Sequence, residues 1–170
     1  MTNQFHYLNN HRAGILDHKE LEACMKKIWK ILGILLIAGI VIFLLIQFLP
    51  VGKNQTNPPA TAEPAWDSPQ TRQIAKEHCF QCHSNETDWT WYSKIAPASW
   101  LIYWDVANAR EQFNFSEWDK SPGYVGDLIE AVQEDAMPPI QYWIFHPQSR
   151  LTPEDKQIFI QGLINTLGQP

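Results

Sequence analysis

A chain of 170 residues with 18 Asp and Glu against 13 Lys and Arg, a net charge of −5, has no basic excess with which to hold a polyanion, which argues against nucleic acid as a partner. Three cysteines, one of them (Cys24) far from the other two, exclude a disulfide-stapled framework. The acidity is concentrated late: residues 66–170 hold seven Lys and Arg against fourteen Asp and Glu, which disfavours an anionic bilayer surface and suits a partner with a basic face.

Residues 1–27 are polar, lack strong periodicity and read as a cytoplasmic tail. Met25-Lys26-Lys27-Ile28 looks like a natural start, so residues 1–24 also fit an over-extended start. Leu21-Glu22-Ala23-Cys24 has the look of a lipoprotein cleavage site, but it precedes the apolar run instead of following it. Cys24 is expected to be a lone cytoplasmic thiol.

From Ile28 to Leu49 the chain is apolar, with Lys30 and Gln47 near its two ends. These 22 residues make about 33 Å of helix, enough for a hydrocarbon core of roughly 30 Å. No polar stripe marks a core helix, and no small-residue cleavage pattern follows Leu49. The segment reads as an uncleaved, single-pass signal anchor of a bacterial inner membrane. Lys26, Lys27 and Lys30 crowd its N-terminal end against Lys53 alone beyond it, so the N-terminus is expected inside and everything after Pro50 in the periplasm.

Residues 50–65, with four prolines, read as an extended linker. Residues 66–170 are enough for one small domain. Ser68-Pro69 opens a helix, with Ile74, His78 and Cys82 on one face. Ser99 is expected to cap a second, with Trp100, Tyr103, Trp104 and Ala107 along one side. Asp127–Glu134 forms a third, with Leu128, Ile129 and Val132 inward, stopped by Pro138-Pro139. Thr152-Pro153 opens the last, with Ile158, Phe159, Leu163 and Ile164 in helical register. No alternating pattern competes, so the expected fold is all-α.

At the end of the first of these helices stands Cys79-Phe80-Gln81-Cys82-His83. C-x-x-C-H is the attachment signature of a c-type haem. Two thiols one turn apart can each join a vinyl group on the same porphyrin edge, and the next residue, His83, can ligate the iron. A zinc site would need more Cys or His at ligand spacing. A redox C-x-x-C would need a thioredoxin-like βαβ context. Neither pattern is present.

The order of motif, downstream Met and terminal helix is similar to the class I cytochrome c plan. A closer resemblance, to the bacterial haem-binding domain family, rests on H-C-F-Q-C-H-S (78–84), W-Y-S-K-I-A-P-A-S-W-L-I (91–102), D-V (105–106), R (110), N-F-S-E-W (114–118), M-P-P (137–139), Y (142), H-P (146–147) and L-T-P-E-D-K (151–156). It covers roughly residues 66–167 and implies one covalently bound haem c.

Met137, fixed by Pro138-Pro139, is the first candidate for the sixth iron ligand, and His146 is the alternative. By analogy with the cytochrome c plan, the Pro97 carbonyl is a candidate acceptor for the ring N–H of His83. Arg110 and Arg150 could pair with haem propionates or form ordinary surface ion pairs. Tyr92, Trp100 and Trp104 could line the haem or pack away from it, and His78 is expected to face solvent or cap its helix. The expected function is a membrane-anchored monohaem cytochrome that passes single electrons to a redox partner, not an enzyme. The alternatives are a haem-based redox or ligand sensor, or an accessory haem domain of a peroxidase-type system.

Overall fold

The computed structural model describes residues 17–120 and 124–168. The first sixteen residues of the expected tail lie outside the described residues. The chain divides into two compact units between Leu49 and Pro50.

The described part of the first unit is built on one helix, α1 (His18–Ile46), none of whose residues is buried. It is long and apolar enough to cross a membrane. It starts ten residues ahead of the expected apolar segment. Residues 18–27 are rich in strong helix formers (Lys, Leu, Glu, Ala, Met) and contain no Gly or Pro, so the helix propagates through the polar stretch. It ends short of Leu49, where the Gln47 side-chain amide donates back to the Phe43 carbonyl at 2.9 Å.

In the second unit the remaining helices are α2 (Pro69–His78), α3 (Phe80–His83), α4 (Ala98–Gln112), α5 (Val125–Gln133), α6 (Ile140–Phe145) and α7 (Pro153–Leu167), with 3₁₀ turns at Trp91–Lys94 and Pro147–Ser149. No strand occurs among the described residues; the fold is all-α, with a single bridge between Ala62 and Glu117. Two helix starts follow the same local chemistry. Ser68 Oγ accepts the Thr71 N–H at 3.1 Å and Thr152 Oγ1 accepts the Asp155 N–H at 3.1 Å, each with proline at the first helical position. Such a cap contributes about 1 kcal/mol.

The core joins α2, α3, α5 and α7. Ile74, Ala75, Phe80, Phe115, Leu128, Ile129, Val132, Phe159 and Leu163 form one buried cluster, with Ile158 and Ile164 packed at its edge. Phe115, Phe159 and Leu163 are fully buried, each contributing roughly 1.5–3 kcal/mol of apolar transfer. α2 and α7 approach closely at Gly162, where a Cβ would lie 2.2 Å from Thr71 Oγ1.

Helix α4 departs from its expected pattern. It begins at Ala98, one residue before the expected cap, and Ser99 is buried inside its first turn. Its inward positions are Ser99, Val106 and Ala109, while Trp104 and Leu101 are largely exposed. On the expected side Trp100, Tyr103 and Ala107 are half-buried and Trp104 is exposed. α6 had no counterpart in the sequence reading, because its six residues lie between two proline-marked breaks.

The segment expected as a linker is a strap built into the domain. The Thr61 N–H donates to the Ser116 carbonyl at 2.8 Å, and the Trp118 N–H donates to the Ala62 carbonyl at 3.0 Å. Asn57 donates to the Thr87 carbonyl at 2.8 Å, and Gln55 donates to the Ser93 carbonyl. Glu63 accepts two bonds from Arg72, both 2.7 Å. Proline richness keeps the segment extended; its polar side chains supply the bonds that seat it. Gly52 takes φ +71 against the Ser99–Trp100 backbone, where a Cβ would sit 2.5 Å from the Ser99 carbonyl oxygen.

Candidate functional site

Helix α2 stops at Cys79, whose φ −121 and ψ −35 leave the helical range, and α3 starts a fresh turn at Phe80. The C-x-x-C-H segment is therefore a turn of its own, not the end of α2. The Cys79 carbonyl accepts from the Cys82 N–H at 3.1 Å and from the His83 N–H at 2.9 Å. That turn sets the two thiols on one side, with His83 following.

Cys79, Cys82 and His83 line a cavity of about 340 Å³. Phe113 adjoins them. Leu128, Ala131 and Val132 of α5 form another wall, and Met137, Pro138, Pro139 and Tyr142 complete it. The lining is mostly apolar. Burial pushes the Cys79 thiol up to about 12, with the neighbouring Cys82 adding to the effect. Burial likewise raises Cys82 to about 11, helped by the Asp105 carboxylate and opposed by Arg110. Both groups are neutral thiols at pH 7, unlike the acidic thiols of redox C-x-x-C pairs.

His83 is 6% exposed. Its Nδ1 donates to the Ala109 carbonyl at 3.1 Å, with the Phe113 carbonyl at 3.3 Å, and the Phe113 ring lies parallel to it at 4.0 Å. Burial holds its pKa below the ordinary histidine value, against the pull of the two carbonyls. The imidazole is thus neutral, and with Nδ1–H spoken for, Nε2 keeps the lone pair a metal needs. The acceptor expected at Pro97 is Ala109 instead. Pro97 stands at the start of α4, where its carbonyl accepts from the Trp100 N–H at 3.1 Å.

Met137 lines the same cavity and is 38% exposed. The Ala131 carbonyl takes both the Ala136 N–H (2.9 Å) and the Met137 N–H (3.3 Å). Lys156 Nζ holds the preceding turn, with 2.6 Å to the Gln133 carbonyl and 2.9 Å to the Asp135 carboxylate. Asp135 takes the left-handed φ of 57 that Asp tolerates better than most residues.

His146, the alternative ligand, is engaged at both nitrogens. Nε2 accepts from the Tyr92 hydroxyl at 3.0 Å, and Nδ1 donates to the Tyr142 carbonyl at 3.2 Å. Its ring stacks on Tyr142 at 4.4 Å. It has no lone pair to offer while these bonds stand. Arg110 turns to the strap and the loop after His83. Arg150 lies over the Trp143 ring at 5.4 Å. Trp100 is outside the cavity lining, and its buried Nε1 has no hydrogen-bond partner among the described residues. His78, expected to face solvent or cap its helix, lines the cavity and donates from Nδ1 to the Ser149 carbonyl at 2.7 Å.

The sequence reading missed the Ala109 and Phe113 carbonyls, the Phe113 ring and the Tyr142–His146–Tyr92 contacts. Backbone carbonyls leave no signal in side-chain identity. Phe113 falls just past the end of α4, where periodicity is silent.

A family model described as a haem-binding domain matches residues 41–165. No curated protein matches the chain, and no solved structure does.

Proposed function

The chain belongs to the haem-binding domain family, and we propose that it is a membrane-anchored periplasmic cytochrome c with one covalent haem that passes single electrons. The observation that carries this reading is the gathering of Cys79, Cys82, His83 and Met137 around one largely apolar cavity.

The residues fit the group. Cys79 and Cys82 would each hold it by a thioether, the S–H hydrogen going to the vinyl carbon, so no oxidant is required. Both thiols carry that hydrogen at neutral pH. His83 offers Nε2 on one side, and the Ala109 carbonyl holds its ring. Met137 offers a thioether sulfur as the sixth ligand, and the Lys156 contacts hold its loop. The apolar walls from α5 keep water away. Bound haem supplies an iron that changes by one electron and, with a Met ligand, does so at a raised potential.

His83 and Met137 would both hold the iron and so would leave no position for a substrate, which favours an electron carrier over an enzyme. The acidic domain suits a redox partner with a basic docking face. The lysines ahead of the apolar stretch support a cytoplasmic N-terminus, and a periplasmic haem domain fits an anchor in the inner membrane. One observation favours a sensor as the second reading: Met137 is part-exposed, so a small ligand could replace it.

The test is the full chain matured with a c-type haem assembly system. Haem should stay on the protein through denaturing electrophoresis and vanish in the Cys79→Ala, Cys82→Ala double variant. Haem that survives the double change overturns the covalent reading. Ready carbon monoxide binding by the parent favours the sensor.

A further inference from the structure

Among the described residues Arg110 makes four hydrogen bonds, none of them into the cavity. Nε donates to the Ser84 carbonyl at 2.8 Å, and one terminal nitrogen donates to the Thr56 carbonyl at 2.9 Å. The other donates to Asn57 Oδ1 and Thr87 Oγ1, both at 2.9 Å. Its neighbour Ala109 carries the carbonyl that takes the His83 Nδ1–H, and Ser84 directly follows His83. Residues 83–84 and 109–110 therefore close a ring: His83 bonds to Ala109, and Arg110 bonds back to Ser84.

We propose that Arg110 is a positioning residue for His83, and that it ties the setting of the imidazole to the seating of the strap at Thr56 and Asn57. The inference rests on the reading of His83 as the iron ligand. A planar guanidinium with donors at fixed angles suits this place, because it must reach three segments at once. Lysine has the charge but cannot satisfy the four acceptors in that geometry. Asn57 is the strap's half of the tie: its Oδ1 accepts from Arg110 and from Trp89 Nε1 at 3.1 Å, and its amide donates to Thr87.

A weaker Nδ1–H···O bond makes the imidazole a poorer electron donor to iron, which costs Fe(III) more than Fe(II). Loosening the ring should therefore raise the midpoint potential and lower the iron–histidine stretching frequency. Loss of a nearby positive charge would lower the potential instead, so Arg110→Lys, which keeps the charge, isolates geometry.

The experiment compares the parent full chain, Arg110→Lys and Asn57→Ala, each matured with haem. Midpoint potentials are measured by redox titration. The ferrous iron–histidine stretch is measured by resonance Raman in a Met137→Ala background, where the sixth position is open. Both variants should shift the potential upward and the stretch downward, Asn57→Ala by less. Variants that melt earlier but keep the parent's potential and stretch would show a structural role only and overturn the proposal. A shift in Arg110→Lys with none in Asn57→Ala overturns the tie to the strap. A parent without a histidine-ligated haem overturns the reading of His83 itself, a result separate from either of these.

Discussion

The two walls that meet at the cavity are held by different means. On the His83 side the chain is sewn down: Ser84, Asn85, Asn114 and Ser116 are all buried, and each is hydrogen-bonded. On the Met137 side α6 has no buried residue, and Ile140, Ile144 and Phe145 are exposed. Lys156, the Ala131 carbonyl and the Tyr92–His146 bond hold that wall with partly exposed groups. The proposed ligand His83 is fixed by a buried network, and the proposed ligand Met137 sits in a loop held by partly exposed groups. The first should resist exchange, and the second is where ligand exchange and partner contact should concentrate.

The largest expected effect lies on the open wall. Met137→Ala should abolish the weak far-red band of Met-ligated ferric haem, lower the midpoint potential and admit carbon monoxide, as read by absorption and redox titration. His146→Ala should leave the band in place. A band lost in His146→Ala but kept in Met137→Ala would reverse the two roles.

Next comes the buried wall. Asn114 gives its amide to Asn85 Oδ1 at 2.8 Å and takes the Ser116 N–H at 2.9 Å. Asn114→Ala strands both partners and should cost about 1–3 kcal/mol, a drop of several degrees in thermal midpoint by calorimetry. Lys156→Met should leave the thermal midpoint near the parent's but raise the carbon monoxide affinity, because it frees the turn before Met137. Equal melting losses in these two variants would erase the contrast between the walls.

The smallest effect is a pH dependence away from both walls. Arg72 beside Glu63 holds that carboxyl below the ordinary value of 4.5, burial opposing it. The unfolded chain binds the proton more readily than the folded one. The pair therefore stabilises the domain at neutral pH, and the gain is lost as pH falls below about 4.5 through the folded pKa. Arg72→Gln should flatten the fall of the melting temperature as pH drops below the ordinary carboxyl value of 4.5.

Local chemistry was legible in the sequence; contact across the chain was not. Ser68-Pro69 and Thr152-Pro153 announced two helix starts because the cap and the proline act within four residues. Leu128, Ile129 and Val132 announced a buried face by spacing alone. C-x-x-C-H and M-P-P, 54 residues apart, both reach the cavity. The strap stayed hidden because Asn57 bonds to Thr87 and Arg110, far along the chain, while proline content suggests a free linker. Trp104 misled, since it stands exposed on a helix whose buried positions are Ser99, Val106 and Ala109. The Ala109 carbonyl could not be foreseen from any side chain.

The strap also determines where the domain can be cut. Composition invites a truncation at Trp66. That boundary would deprive Arg110 of two of its four acceptors, Arg72 of its carboxylate, and Ser116 and Trp118 of their backbone partners. A fragment beginning at Pro50 keeps every one of these bonds. The folded unit of this protein therefore starts sixteen residues earlier than its proline content suggests, and those residues belong to the haem-binding domain as fully as any of its helices.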